Sequence, residues 1–261
     1  SSAIVRVRIP TTAQSAVSAS TAMQNGTTAR TVQSGVAPDE RGFKSVTDID
    51  PNTNVIHCVY TKGASSAGGA DPYGIVVYKN SGADDVLGNA NDSAEITLHA
   101  AQNIWSQSIG MAVSPTGNFL WVAYVQDDDT LSAVSSNSLR FVQVDLGTLA
   151  VSAEAAHTVT VGTGPFDSLG TTSVAVDGIG RPHVVWYSLS PNQLNYVNGG
   201  PDNDLLSTGD NVSQVADGST GEVFNGVTNS CAVNGVGTTV HMVYGQNAKV
   251  FYKPLTIDQA T

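Results

Sequence analysis

The chain has 261 residues, enough to bury a sizeable core as one large domain or two small ones. Its 11 Lys and Arg stand against 22 Asp and Glu, and the net charge of −11 excludes a binder that tracks nucleic-acid phosphates or docks on anionic lipid. No apolar stretch approaches the roughly 20 residues that span a bilayer, and two cysteines, Cys58 and Cys231, are too few for a disulfide scaffold and read as buried thiols.

At the N-terminal end, SAIVRVRIP alternates, with Val5, Val7 and Ile9 on one face and Arg6 and Arg8 on the other. A Ser/Thr/Ala-rich tether (11–28) follows, so residues 1–28 read as an arm and 29–261 as the folded domain. A strand on a tether can add to the edge of another sheet or fold back on its own domain. Val5, Arg6, Val7, Arg8 and Ile9 are therefore the candidate partner-binding residues. SAVSASTAMQ (15–24) comes nearest to a helix but lacks a continuous apolar stripe.

Beyond the arm the chain repeats. His57-Cys58-Val59-Tyr60, Trp121-Val122-Ala123-Tyr124, His183-Val184-Val185-Trp186 and His241-Met242-Val243-Tyr244 share one form, at steps of 64, 62 and 58 residues. Before each lies a short strand of small and branched residues: SVTDID (45–50), SIGMAVS (108–114), SVAVD (173–177) and SCAVN (230–234). Between the two come Asp, Asn, Gly and Pro, the residues that tight turns require. A third strand ends in an aromatic region each time: GIVVYK (74–79), SLRFVQV (138–144), QLNYV (193–197) and KVFYK (249–253). Fourth strands are AEITLHA (94–100), HTVTVG (157–162) and NVSQVA (211–216). The last unit has none, and ARTVQSG (29–35) has the character to supply it.

The unit is thus a four-stranded antiparallel meander repeated four times. A second strand apolar at every position, as in PHVVWY, is a strand covered on both faces, and radial repetition of sheets provides such cover. The small Gly110, Ala175 and Ala232 on the first strands suit strands that converge on an axis. The expected fold is all-β: a four-bladed β-propeller of four-stranded antiparallel blades, closed by an N-terminal strand. DGIGRPHVVWYS (177–188) resembles the repeats of sialidase-like (BNR-type) propellers, where Asp-x-x-Gly-x-x-His-Val-x-aromatic patterns are frequent. The resemblance implies a fold and not a function.

That family implies an arginine cluster, a Tyr/Glu pair and an Asp for an acid sugar. Here Arg41, Arg140 and Arg181 lie in three different units with no shared repeat position, and the Ser-x-Asp-x-Gly-x-x-Trp box is absent. There is no G-x-S-x-G, H-E-x-x-H or P-loop. His57, His183 and His241 occupy one repeat position and read as packing or loop-anchoring groups, spread too far around a ring to share an ion. Asp127, Asp128 and Asp129 could approach Ca²⁺, but calcium loops space their ligands at alternate positions, so a solvated acidic loop is expected.

Loops after the second strands and between units share one face of a propeller. That face collects Asp71, Tyr73, Trp105, Asp127, Asp128, Asp129 and Phe166, a mixture of aromatics and carboxylates suited to sugar or protein contact. Tyr73, Trp105, Asp127, Asp128, Asp129 and Phe166 are the candidate ligand-binding residues. The functional expectation is a non-catalytic interaction module without metal or cofactor. It would be a subunit of an extracellular assembly, such as a virion surface or tail accessory protein of a bacterial virus. It would meet protein partners through its arm, without nucleic acid or membrane insertion. A secreted glycan-binding lectin and a sialidase-like glycoside hydrolase are the alternatives.

Overall fold

The computed structural model describes residues 5–6, 30–31, 40–64, 73–105, 108–127, 137–157, 172–189, 192–207, 211–217, 229–233, 239–246 and 249–256. Among them every strand pairing is antiparallel. Strands β1 (Val5–Arg6) and β2 (Arg30–Thr31) form a two-stranded ribbon. The first unit holds β3 (Glu40–Ile49), β4 (Ile56–Ala64), β5 (Tyr73–Asn80) and β6 (Ile96–Trp105). The second holds β7 (Gly110–Val113), β8 (Phe119–Asp127), β9 (Asn137–Asp145) and β10 (Ala155–His157). The third holds β11 (Ser173–Val176), β12 (Pro182–Leu189), β13 (Asn192–Asn198) and β14 (Asn211–Asp217). The fourth holds β15 (Asn229–Val233), β16 (Thr239–Gln246) and β17 (Lys249–Thr256).

Among the described residues the expected meander has four strands in units one to three and three in the fourth, and two further expectations need correction. Units one and two are not separate blades: they join in one sheet ordered β10-β9-β8-β6-β5-β4-β3, with β7 also on β8. The junction is Ile104↔Gln126, and the register of β5 against β6 shifts around Val76. Such bulges bend a strand away from its partner, which lets the far end of β6 reach β8. The described pairings also show no closed ring. Arg30–Thr31, in the segment expected to close it, pairs with Val5–Arg6 instead of with the last unit. The two short strands satisfy each other's backbone groups locally.

In the first three units the side chains of the second strands alternate between two buried layers, which explains their unbroken apolar run. Val59, Val76 and Tyr78 meet Leu120, Val122 and Tyr124 between units one and two. Trp121, Ala123 and Phe141 meet Val184 and Trp186 between units two and three. Val185, Leu194 and Tyr196 meet Cys231, Val240 and Met242 between units three and four. Trp121 and Trp186 are fully buried, and a buried Trp is worth about 3–5 kcal/mol against Ala. First strands of successive units lie against one another. A Cβ at Gly110 would stand 2.6 Å from the Thr172 carbonyl oxygen, so only glycine allows that approach. Cys58 and Cys231 are free buried thiols, pushed up by burial to about 12 and about 11.

The fourth unit differs on its outer face. Tyr78 and Tyr196 are covered by the next unit, whereas Tyr252 in the corresponding place is 59% exposed, with Val250 and Val243 exposed beside it.

Candidate functional site

In units one, three and four the marker histidine belongs to a small hydrogen-bonded relay. The register sets His57 opposite Asn80 and Val59 opposite Tyr78, and likewise His183 opposite Asn198 and Val185 opposite Tyr196. In unit one the Gly82 N–H donates to Asn80 Oδ1 at 2.9 Å, which fixes that oxygen as the acceptor. Asn80 Nδ2 therefore donates to the Tyr78 hydroxyl at 3.0 Å, and the hydroxyl meets His57 Nδ1 at 2.8 Å. Unit three repeats this: the Gly200 N–H donates to Asn198 Oδ1, Asn198 Nδ2 to Tyr196, and Tyr196 meets His183 Nδ1 at 2.7 Å. In unit four His241 meets Tyr252 at 2.7 Å, and Pro254 takes the amide's place. In unit two Trp121 and Phe141 make the corresponding pair apolar.

The two complete relays end differently because their turns differ. In unit three, Asp177 Oδ1 accepts the Ile179 and Arg181 N–H groups, and Oδ2 stands 3.2 Å from His183 Nε2. In unit one, Asp50 Oδ1 accepts the Asn52 N–H, and Oδ2 accepts the Thr53 hydroxyl. The unit-one turn is one residue longer, with Asn54 at φ 62°. Among the described residues, His57 Nε2 has no hydrogen-bond partner, although His57 is only 3% exposed.

A cleft of about 470 Å³ opens beside His57 between units one and two. Asp50, Thr53 and Asn80 line it from the first unit; Asn118, Phe119, Asp145 and Leu146 line it from the second. Two contacts hold the units in register here. The Val113 N–H donates to Asp48 Oδ2 at 2.9 Å, and Asn52 Nδ2 donates to the Pro115 carbonyl at 3.4 Å. Gly117, at φ 70°, brings the second turn so close that a Cβ would lie 2.5 Å from Asp50 Oδ1. Asp145 Oδ1 accepts the Gly147 and Thr148 N–H groups.

Burial raises the Asp50 carboxyl, but the hydrogen bonds from Thr53 and Asn52 outweigh it and hold the group below its ordinary range. Burial lowers the His57 imidazole, and Asp50 and Asp48 reverse this only in part, so the ring is neutral at pH 7. The cleft thus presents carboxylate acceptors, a neutral imidazole and an apolar wall. Among the described residues no group of three or more His, Cys, Asp and Glu is arranged for a metal ion. A second polar cluster, Glu154 with His99, Tyr124 and Arg140, ties β6, β8 and β9 to the chain before β10.

The residues predicted from sequence lie elsewhere. Tyr73 pairs with Trp105, and Gln126, beside Asp127, pairs with Ile104. The backbone therefore brings Tyr73, Trp105 and Asp127 to one end of the joined sheet, at the opposite end of β5 from Asn80. Asp128, Asp129 and Phe166 lie outside the described residues, as do Val7, Arg8 and Ile9. Val5 and Arg6 form β1. Sequence reasoning read His57 as a packing or loop-anchoring group and passed over Asp50, Asn80, Phe119 and Asp145. The available signal was the shared Tyr-x-Asn-x-Gly of Tyr78–Gly82 and Tyr196–Gly200.

No protein-family model matches the chain, and no curated protein matches it. Solved structures do. A polysaccharide lyase of family PL25, an ulvan lyase, is 12% identical over 84% of this chain and 53% of its own, with a TM-score of 0.49. A GH43 β-1,3-galactosidase is 9% identical over 87% and 46%, with a TM-score of 0.46. A Hadza microbial sialidase is 9% identical over 84% and 53%, with a TM-score of 0.34. The chain spans about half the length of these structures. The resemblance to sialidase-like propeller repeats stands at the level of the fold alone. The expectation of a non-catalytic module is corrected by the same comparisons, since the structures it is similar to are enzymes. The missing box and the scattered arginines were weak grounds for it, because one fold carries many different sites.

Proposed function

We propose that this chain is a carbohydrate-acting protein of propeller type, with four units about one axis and the cleft between units one and two as its sugar-binding site. The observation that carries this is the composition of the cleft. Carboxylates of Asp50 and Asp145 and the amide of Asn118 flank the apolar surface of Phe119, which is 37% exposed, and of Leu146. Sugars offer that combination in reverse: hydroxyl groups that donate to carboxylates, and C–H faces that pack on an aromatic ring. Adjacent first strands and three buried layers between successive units support the four-unit arrangement.

The test is titration calorimetry against neutral and acidic oligosaccharides, run beside an assay for released reducing ends and unsaturated products. Wild type is expected to bind at least one oligosaccharide. Phe119→Ala is expected to weaken it roughly tenfold, the loss for one stacking contact, with the fold intact by circular dichroism. Absence of binding to every oligosaccharide, or an unchanged affinity in Phe119→Ala, sinks the assignment of the cleft.

A further inference from the structure

The acidic side chains of this protein differ in how their charge is met. Glu95 stands 3.8 Å from Lys62, Asp92 3.0 Å from Lys79 and Glu154 3.6 Å from Arg140. Asp50 and Asp145 line the cleft together, and no Lys or Arg is among the residues that line it. Against its burial, hydrogen bonds from Thr53 and Asn52 hold Asp50 below the ordinary carboxylate range. Those from Thr148 and Gly147 do the same for Asp145. Both are charged at neutral pH, so the cleft carries two negative charges with no basic side chain in its lining.

The more open of the two carboxylates sits beside the aromatic wall. Asp50 is 5% exposed, whereas Asp145 is half-buried and Phe119 is exposed. Phe119 and Asp145 stand directly opposite one another on β8 and β9. The Leu146 N–H donates to the Asn118 carbonyl, while the Phe119 and Asp145 N–H groups go to Ser114 and Ala150. The pair is thus of the narrow, non-hydrogen-bonded kind, with both side chains on one face and Cβ atoms about 4.5–5.5 Å apart. A pyranose ring laid on Phe119 brings its substituents to the carboxylate. We infer that the cleft selects a saccharide with a free amino group, its ring on Phe119 and its ammonium against Asp145, over N-acetylated and acid sugars. The inference rests on the carbohydrate assignment of the cleft. An ammonium supplies the positive charge that the lining lacks, and its hydrogen bond to a carboxylate is charge-assisted. Acetylation removes that charge, and a uronate adds a third negative charge to the two present.

The experiment is calorimetry with oligomers of glucosamine, N-acetylglucosamine, glucose and galacturonate of equal length, at low and high salt, with the sugar amines protonated. Glucosamine oligomers are expected to bind roughly fivefold tighter than glucose and N-acetylglucosamine oligomers, the upper range for an exposed ion pair. Galacturonate oligomers are expected to bind weakest. The preference is expected to fade in high salt, a readout on wild type that needs no variant. Asp145→Asn keeps an acceptor for the turn and removes the charge; it is expected to abolish the preference while glucose oligomers still bind. Asp84→Asn removes one charge outside the cleft and is expected to leave the preference unchanged. Glucosamine oligomers binding no tighter than glucose oligomers, a preference indifferent to salt or kept in Asp145→Asn, or an equal loss in Asp84→Asn overturns the inference. Each of these outcomes leaves a carbohydrate site in place. Failure of every oligosaccharide to bind removes the carbohydrate assignment and the inference together.

Discussion

Units one and three carry the same relay, Asn–Tyr–His, yet in unit three it ends on an aspartate and in unit one it ends without a described partner. In unit three His183 and Asp177 are both fully buried, and each proton has a place. In unit one Asp50 engages its own turn through Thr53 and leaves His57 Nε2 without a described partner. The two aspartates precede their histidines by seven and six residues, respectively. A single inserted residue thus separates a histidine held at both ring nitrogens from one held, among the described residues, at Nδ1 alone. Identical chemistry in a repeat says little about role until the partner of the last atom is known.

The largest expected effect tests that difference directly. Asp177→Ala removes the acceptor of two turn N–H groups and of His183, leaving buried donors unsatisfied. The expected cost is on the order of 3 kcal/mol, a fall of roughly 6–12 °C in Tm. Asp50→Ala is expected to cost about 1 kcal/mol, because the Asn52 and Thr53 donors it frees lie on an exposed turn and reach water. Equal losses at the two positions, measured by thermal and urea denaturation, would break the contrast.

A smaller effect separates the relays by their cover. Tyr78→Phe and Tyr196→Phe each delete a hydroxyl that joins a buried amide to a buried imidazole, at an expected cost of about 1–2 kcal/mol. Tyr252→Phe breaks the corresponding bond on an exposed face, where water replaces it, and is expected to stay within about 0.5 kcal/mol. A Tyr252→Phe loss matching the other two, read from urea midpoints, would mean that this face is covered in solution.

Much of the architecture was legible because burial on both faces leaves a plain signature. The runs at His57, Trp121, His183 and His241 are continuous apolar strands, and each proved to be the second strand of its unit, buried on both faces in the first three and open at Val243 in the fourth. The junction of units one and two was hidden, since it depends on irregular pairing around Val76 and not on any residue type. Pairing of Arg30–Thr31 with Val5–Arg6 was equally hidden, because two short polar strands advertise no unique partner. The cleft escaped for a sharper reason. The sequence shows that His57 and His183 are equivalent, but only the turn conformation decides which aspartate oxygen points where. The candidate residues at Tyr73, Trp105 and Asp127 were found by loop length, which brings strand ends together but does not reveal a cleft formed by short turns.

Acidification gives the smallest and finest test of the two histidines. Burial holds both His57 and His183 below the ordinary 6.5. Asp50 and Asp48 oppose that at the first, and Asp177 opposes it at the second, where Arg181 adds to the lowering. An unfolded chain takes up these protons near 6.5, the folded chain only at lower pH. Between the two values the unfolded state binds more protons, so stability rises with pH. The contribution is therefore complete above 6.5 and is lost as pH falls from there through the lower folded values. Asp177 adds its own loss further down, because hydrogen bonds from His183 and Arg181 outweigh the effect of burial and hold its carboxyl below 3.8. Urea midpoints from pH 7.5 to 4.5 are expected to decline in wild type and to decline less steeply in both His57→Gln and His183→Gln. In His57→Gln the shallower slope should come with little change at pH 7.5, because His57 Nε2 has no described partner to lose. In His183→Gln it should come with a lower starting stability, because Asp177 is left with its carboxylate buried and underpaired. An unchanged slope in His57→Gln would show that its imidazole is not held neutral by the fold.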